Sequence, residues 1–356
     1  MQAMQALVLS APHEFSVEQV AVPEIGRDDV LVRVDTTYIC GTDPHIIAGD
    51  FPGFWPKSYP FVPGHEWSGT VVEAGSVAAA LGWSAGDRVC ATSHCGCGYC
   101  RMCLTGRYNL CLNYGNEAVG HRQYGHYTAG GYAEYVAASV KSVYRIPDQL
   151  SLADAAVIDP LSIALYTVKR TRLQPGADIV ILGTGPQGLM AILCAAALGA
   201  GRIIAAGSGE RLARARELGA IGIDYRHTDV VEEVRRLTGG LGAAHVVECA
   251  GTAQAFRQAC EVAAKGGVIS AIGLPAEDAA VPVRRLVLDE VEIRGGRANP
   301  NTAEEALSLV INGRVDIAPL FTHRFPLADF GEALDTYNGR VGGAIKVAVC
   351  PSGITS

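Results

Sequence analysis

Basic charge is scarce in this sequence: 29 lysines and arginines stand against 36 aspartates and glutamates, for a net charge of −7. That balance argues against a nucleic-acid surface, which needs a basic stripe. Charge of either sign is thin at 18% of residues, while 49% are hydrophobic. A solvated disordered chain is excluded, and a well-buried globular protein fits. Long apolar runs are also missing. The longest apolar helical stretch, Leu189 to Leu198, falls well short of the roughly 20 residues that cross a bilayer. No basic run followed by an apolar stretch opens the chain at Met1-Gln2-Ala3-Met4, so no secretory signal is read. A soluble, cytoplasmic protein is expected. At 356 residues, two domains suit the chain better than one small core.

Cysteine, by contrast, is abundant and unevenly spread. Five of the eleven fall between Cys95 and Cys111, and such clustering reads as metal binding rather than a disulfide framework. Cys97, Cys100, Cys103 and Cys111 offer four soft donors within fifteen residues, a spacing that can wrap one tetrahedral ion. The alternative is a loop of reduced thiols. Cys95 lies just outside the pattern, and an exchange of ligand role with Cys97 stays open.

The rhythm of the chain changes near residue 160. Before it, short β-like runs such as Ala6 to Leu9, Val30 to Val34 and Arg88 to Ala91 alternate with Gly, Pro and Asp turns, as in a compact, barrel-like β domain. After Gln174-Pro175-Gly176 the pattern becomes strand, helix, strand, helix. Asp178 to Leu182 is nearly continuous in apolar residues, Pro186 to about Leu198 is helical, and Arg202 to Ala206, His245 to Cys249 and Gly267 to Ile272 read as further strands. Alternation of this kind marks a doubly wound α/β domain with a parallel sheet.

Gly183-Thr184-Gly185-Pro186-Gln187-Gly188 follows the first of those strands and opens a helix. Alone, a G-x-G-x-x-G pattern is weak; strand before and helix after make it a dinucleotide fingerprint, with the pyrophosphate at the helix N-terminus. An NAD site wants an acidic residue at the end of the next strand. Reading without gaps, Gly207 occupies that place, followed by Ser208, Gly209, Glu210 and Arg211. A Gly-Ser pair removes the charge that would repel a 2′-phosphate, and Arg211, or Arg226 after Tyr225, could supply a cation. NADP is therefore expected over NAD, with Glu210 as the residue that would reverse this by reaching the ribose.

Gly64-His65-Glu66 places an imidazole and a carboxylate side by side at the entry to an apolar, valine-bearing strand, and Cys40 lies upstream in Ile39-Cys40-Gly41-Thr42-Asp43. A lone His-Glu pair is more often surface polarity. A thiolate, an imidazole and a carboxylate on one point would make a zinc site with room for a substrate oxygen. Phe51, Phe54, Trp55 and Tyr59 crowd the loop between these residues; they read as the lining of an apolar substrate cleft or, for at least half of them, as packing beneath it. His121 and His126 read as loop residues rather than ligands.

Cys40-Gly41-Thr42-Asp43, the G-H-E-x-x-G pattern from Gly64 to Gly69, and Gly86-Asp87-Arg88-Val89 resemble zinc-dependent medium-chain alcohol dehydrogenases, most closely the polyol and threonine dehydrogenase-like branch. The resemblance covers nearly the whole chain. It implies Cys40, His65 and Glu66 as ligands of a catalytic zinc, and Cys97, Cys100, Cys103 and Cys111 as ligands of a closed structural zinc. Asp159 stands where the polyol branch usually has Glu; it is a further metal ligand on this reading, or else a helix cap before Pro160. Thr42 and His45 are implied to hydrogen-bond the substrate oxygen and to pass its proton onward. Arg297 is a candidate for holding a polar substrate group. The chain is implied to return to the first domain after about Ile293. The catalytic domain is then 1–158 with 295–356, its zinc lobe at about 94–112, and the dinucleotide-binding domain 159–294. The implied partner is a small alcohol or ketone, without nucleic acid or membrane, and the implied assembly a homodimer or homotetramer. A zinc-free quinone or enoyl reductase, or a non-catalytic dinucleotide-binding protein, are the alternatives; the ligand trio counts against both.

Overall fold

A computed structural model describes residues 2–354; Met1, Thr355 and Ser356, at the ends of the expected catalytic domain, lie outside the described residues. The chain divides into two compact units, residues 1–159 with 299–311 and 321–356, and residues 160–298 with 312–320. The second unit runs past Ile293 because its sixth strand ends only at Gly295. Asp159 falls in the first.

Nine strands open the first unit: β1 (Ala3–Ala11), β2 (Glu14–Ala21), β3 (Asp29–Tyr38), β4 (Glu66–Ala74), β5 (Arg88–Ala91), β6 (His94–Cys95), β7 (Arg122–Gln123), β8 (Tyr135–Ser139) and β9 (Val143–Arg145). Val30, Val32 and Val34 of β3 pack with Trp67 and Val71 of β4 and Val89 of β5 in one buried cluster. β-Branched residues at alternate positions thus direct one face of the sheet inward.

The second unit is the expected doubly wound α/β structure. Its strands are β10 (Ile179–Leu182), β11 (Ile203–Gly207), β12 (Ile221–Asp224), β13 (Ala243–Glu248), β14 (Ala263–Ala271) and β15 (Glu292–Gly295). They pair in the order β12-β11-β10-β13-β14-β15, every neighbour parallel. The order reverses beside β10, which is the crevice where such sheets bind dinucleotides. All four residues of β10 are buried, which explains its unbroken apolar sequence.

Two last strands complete the first unit, β16 (Phe321–Pro326) and β17 (Lys346–Cys350), in a sheet of order β16-β17-β3-β4-β5-β9 with β8 also on β3. Two of the neighbours of β3 meet it at Tyr38, which pairs with Glu66 of β4 and with Ala348 of β17. The C-terminal end of β3 therefore lies between the N-terminal ends of β4 and β17. No helix among the described residues is long and apolar enough to cross a membrane.

Gly188 tests the packing of the second unit. A Cβ there would lie 1.9 Å from the Gly183 carbonyl oxygen, so Gly188→Ala must push the helix off β10. Overpacking of this kind costs about 1–3 kcal/mol. Denaturant unfolding should show that loss together with weaker dinucleotide binding; unchanged stability would refute the close approach.

Candidate functional site

The meeting of three strand ends gathers the chemistry. Cys40 lies two residues past β3, His65 one residue before β4, Glu66 opens β4 and Lys346 opens β17. Donor atoms of Cys40, His65 and Glu66 all lie within 4.8 Å of one another. His65 and Glu66 are only 3% and 1% exposed.

Charges buried this deeply need partners. Glu66 Oε2 accepts from the Lys346 ammonium, which is 1% exposed and also donates to the Ile39 carbonyl at 3.3 Å. Behind His65 sits Asp43, fully buried, its Oδ1 3.5 Å from His65 Nδ1 and its Oδ2 accepting from Cys40 N at 2.8 Å and Tyr132 Oη at 2.7 Å. Burial opposes a negative Asp43, but His65 and those hydrogen bonds outweigh it and hold its carboxyl below the usual range. Burial likewise opposes a charge on His65, and Cys40 and Asp43 overcome it and raise its pKa. Burial lifts the Glu66 carboxyl although Lys346 pulls it down. A further cation among the donors would complete that compensation. One soft sulfur, one imidazole nitrogen and one carboxylate oxygen at this separation fit a zinc ion with a fourth position left for substrate.

Around the trio the expected residues separate. Thr42 precedes the short helix Asp43–Ala48, yet its side chain makes no cap bond; its hydroxyl faces His126 Nε2 at 3.5 Å. His45 bonds Asp50 through Nδ1 at 2.7 Å, with 59% of its side chain exposed. Asp159 is the second residue of the helix Ile158–Arg170 and is 1% exposed. Its Oδ1 accepts from Ser93 N and from Asn299 Nδ2, each at 2.8 Å. It stays outside the three-donor group. Phe51 and Tyr59 pack against a core containing Trp55, whereas Phe54 is exposed. His126 is no free loop residue. It is buried, its ring 4.2 Å from that of His65 and 4.8 Å from Trp55.

The four lobe sulfurs of Cys97, Cys100, Cys103 and Cys111 also lie within 4.8 Å of one another, with Cys97–Cys103 and Cys100–Cys111 at 3.9 Å. Tetrahedral zinc with bonds of 2.3 Å would set sulfurs about 3.8 Å apart. The donor set fits. Burial works against a Cys97 thiolate, but donors from Tyr99, Asn113 and Cys100 bring its pKa down to about 6. Cys95 stays out of the group: it is 1% exposed, points at the Gly96 and Gly120 carbonyls, and burial raises its pKa.

In the second unit Gly185 caps the helix Pro186–Ala197, with Pro186 in its first turn and open space where a Cβ would stand. The helix N-terminus is bare for an anion. Gln187 is turned inward, its Nε2 3.3 Å from the Pro160 carbonyl. At Gly207 a Cβ would fall 2.0 Å from Thr184 Oγ1; Thr184 fills the space an acidic side chain would enter. Ser208 Oγ lies 3.0 Å from the hydroxyl of Tyr225, a residue passed over in the sequence as the mere neighbour of Arg226. Arg226 itself is held by Asp224, Nε to Oδ1 at 3.0 Å and Nη2 to Oδ2 at 2.6 Å. Arg211 lies in the first turn of the helix Gly209–Glu217, half-buried, beside the exposed Glu210.

Comparison with known proteins identifies the family. Residues 26–148 match the alcohol dehydrogenase GroES-like domain, and residues 173–312 match the zinc-binding dehydrogenase domain. The chain is 33% identical to sorbitol dehydrogenase of Bacillus subtilis (strain 168), over 99% of this chain and 98% of that protein. It is 35% identical to L-threonine 3-dehydrogenase of Bacillus velezensis, over 94% and 95% respectively. Among solved structures, a protein from Sinorhizobium meliloti 1021 assigned as a zinc-binding dehydrogenase and bound to NADP superposes with a TM-score of 0.89 at 32% identity, covering 99% of this chain and all of that one. An alcohol dehydrogenase from Thermus sp. ATN1 gives 0.88 at 30% identity, covering 98% and 99%. The chain belongs to the zinc-dependent medium-chain alcohol dehydrogenase family, in the branch of the polyol and threonine dehydrogenases.

Proposed function

We infer that this oxidoreductase interconverts a secondary alcohol or polyol with the matching ketone, depends on zinc, and prefers NADP to NAD. The observation that carries the reading is the buried donor trio Cys40, His65 and Glu66, with Lys346 and Asp43 behind it. Zinc held there would act as a Lewis acid on oxygen, the property that lowers the pKa of bound water to about 7 in known sites. The residues of the chain do the rest. Asp43 orients His65 from behind, as a carboxylate does for a metal-binding imidazole. Thr42 hydrogen-bonds the substrate hydroxyl. His45, exposed and paired with Asp50, passes the proton to solvent. Asp159, whose carboxyl pKa is lifted by burial although His65 pulls it down, lies near His65 without entering the trio. The four lobe cysteines would hold a second, closed ion. The names of the sorbitol and threonine dehydrogenases support a polyol or secondary alcohol as substrate. The reading includes a homodimer or homotetramer in the cytoplasm, where thiol ligands stay reduced.

NADP preference rests on three features of the second unit. Gly207 brings no carboxylate, Thr184 closes the space for one, and the Ser208 and Tyr225 hydroxyls lie together beside the strand end. Arg211, in the first turn of the helix that follows Ser208, is the candidate cation, with Arg226, which pairs with Asp224, as the other. The NADP-bound relative from Sinorhizobium meliloti supports the same choice.

Two results are expected. Purified protein should carry about two zinc ions per chain, and Cys40→Ser should lose one of them. Turnover should then collapse by about 100-fold or more, with dinucleotide affinity nearly unchanged in a fluorescence titration; loss of both activities would mean misfolding instead. Ser208→Ala with Tyr225→Phe removes two donors to a phosphate, and bonds to charged groups contribute about 1.5–3 kcal/mol each. NADP should bind at least about tenfold more weakly while NAD binding hardly moves. Equal losses for both cofactors would contradict the assignment of this cluster to the 2′-phosphate.

A further inference from the structure

We propose that His126 is the positioning residue behind Thr42: its Nε2 accepts the Thr42 hydroxyl proton and so turns the Thr42 lone pairs toward the substrate. The proposal rests on the reading of Thr42 as the residue that meets the substrate hydroxyl.

A threonine hydroxyl has one proton to donate and two lone pairs with which to accept. An alcohol that must lose its proton needs an acceptor, so the hydroxyl serves only when its own proton points elsewhere. Thr42 does not spend its side chain on capping the helix it precedes. The hydroxyl lies 3.5 Å from His126 Nε2. Which way that contact runs is fixed on the far side of the ring, where Nδ1 is 3.0 Å from the Tyr124 carbonyl. A carbonyl only accepts, so Nδ1 carries the hydrogen, and in a neutral imidazole Nε2 then presents its lone pair. The hydroxyl must donate to it. At 3.5 Å the contact is long, as catalytic hydrogen bonds often are before substrate tightens them.

The ring has little freedom to turn away. It is 5% exposed, stands at 67° to Trp55 with centroids 4.8 Å apart, and lies over His65 at 4.2 Å. Trp55 is itself tied to the Tyr114 hydroxyl at 2.6 Å. The backbone beneath is a turn in which the amides of Tyr127 and Thr128 both donate to the Gln123 carbonyl, at 2.8 and 2.9 Å. His45 cannot take this role, because it faces Asp50. The two histidines differ in role: His126 only orients the Thr42 hydroxyl through this hydrogen bond and keeps no proton from it, and the proton released by the substrate leaves by way of His45.

The test uses the full-length, zinc-loaded protein and two variants. His126→Phe keeps a flat ring against Trp55 and His65 but has no acceptor; His126→Gln keeps an acceptor oxygen at similar reach. Loss of one hydrogen bond that matters in the transition state should lower kcat about tenfold in the phenylalanine variant. KM and zinc content should stay close to wild type, and the glutamine variant should recover most of the rate. In a Thr42→Val background the phenylalanine change should add nothing, because the two residues act as one unit. Imidazole nitrogen NMR of the wild-type protein should find the His126 proton on Nδ1. A proton on Nε2, an unchanged kcat in His126→Phe, or independent losses in the double variant would each overturn the proposal. A wild-type protein that turns over no alcohol or ketone with either cofactor would instead overturn the proposed function, and the NMR result would still decide the orientation of Thr42.

Discussion

A carboxylate sunk in an apolar interior persists only where positive charge meets it, and in this chain Glu66 meets Lys346. Both are about 1% exposed. Removing one member of such a pair costs about 3–5 kcal/mol, since the other is left as an uncompensated buried charge. Three separate segments must therefore arrive together: the end of β3, which supplies the Ile39 carbonyl to the ammonium, the start of β4 and the start of β17. The second pair, Asp43 with His65, adds the loop after β3 to the same obligation. Once these charges are matched, Cys40 has nowhere else to be; its amide is already bound to Asp43.

The antiparallel register does the geometric part. Tyr38 opposite Glu66 leaves His65 one residue and Cys40 two residues beyond the last pair of the two strands. A shift of one residue would turn the β4 side chains to the other face, parting Glu66 from Lys346 and Trp67 from its buried cluster. Apolar packing and charge pairing thus select the same register. The donor trio follows from that register.

Much of this was legible in the sequence where the signal is local. The glycine fingerprint, the unbroken apolar run of β10 and the clustered cysteines each declare themselves within fifteen or so residues, and the α/β fold with its β-rich partner unit followed from them. What stayed hidden depends on partners far apart in the chain. Lys346 lies 280 residues from Glu66 and Asn299 lies 140 from Asp159; no periodicity links them. A lysine amid the apolar run Ala344 to Val349 was the one available hint of a buried cation. From the sequence His126 reads as a loop histidine because loops are usually exposed, whereas the Gly/Tyr loop here folds back over Trp55. Tyr225 was hidden by the salience of Arg226, a cation that proves to be already claimed by Asp224.

The two donor groups differ in what carries them. Four thiols carried on a short loop surround a point from all sides, and backbone amides from Tyr99, Cys100 and Leu112 soften the crowding of charge on their sulfurs. The other three donors stand at or just beyond the ends of β3 and β4. Four donors complete the shell of a tetrahedral ion and three leave a fourth position; Thr42 and His126 lie beside the three. The contrast lies in what carries the ligands, a single short loop or the ends of paired strands.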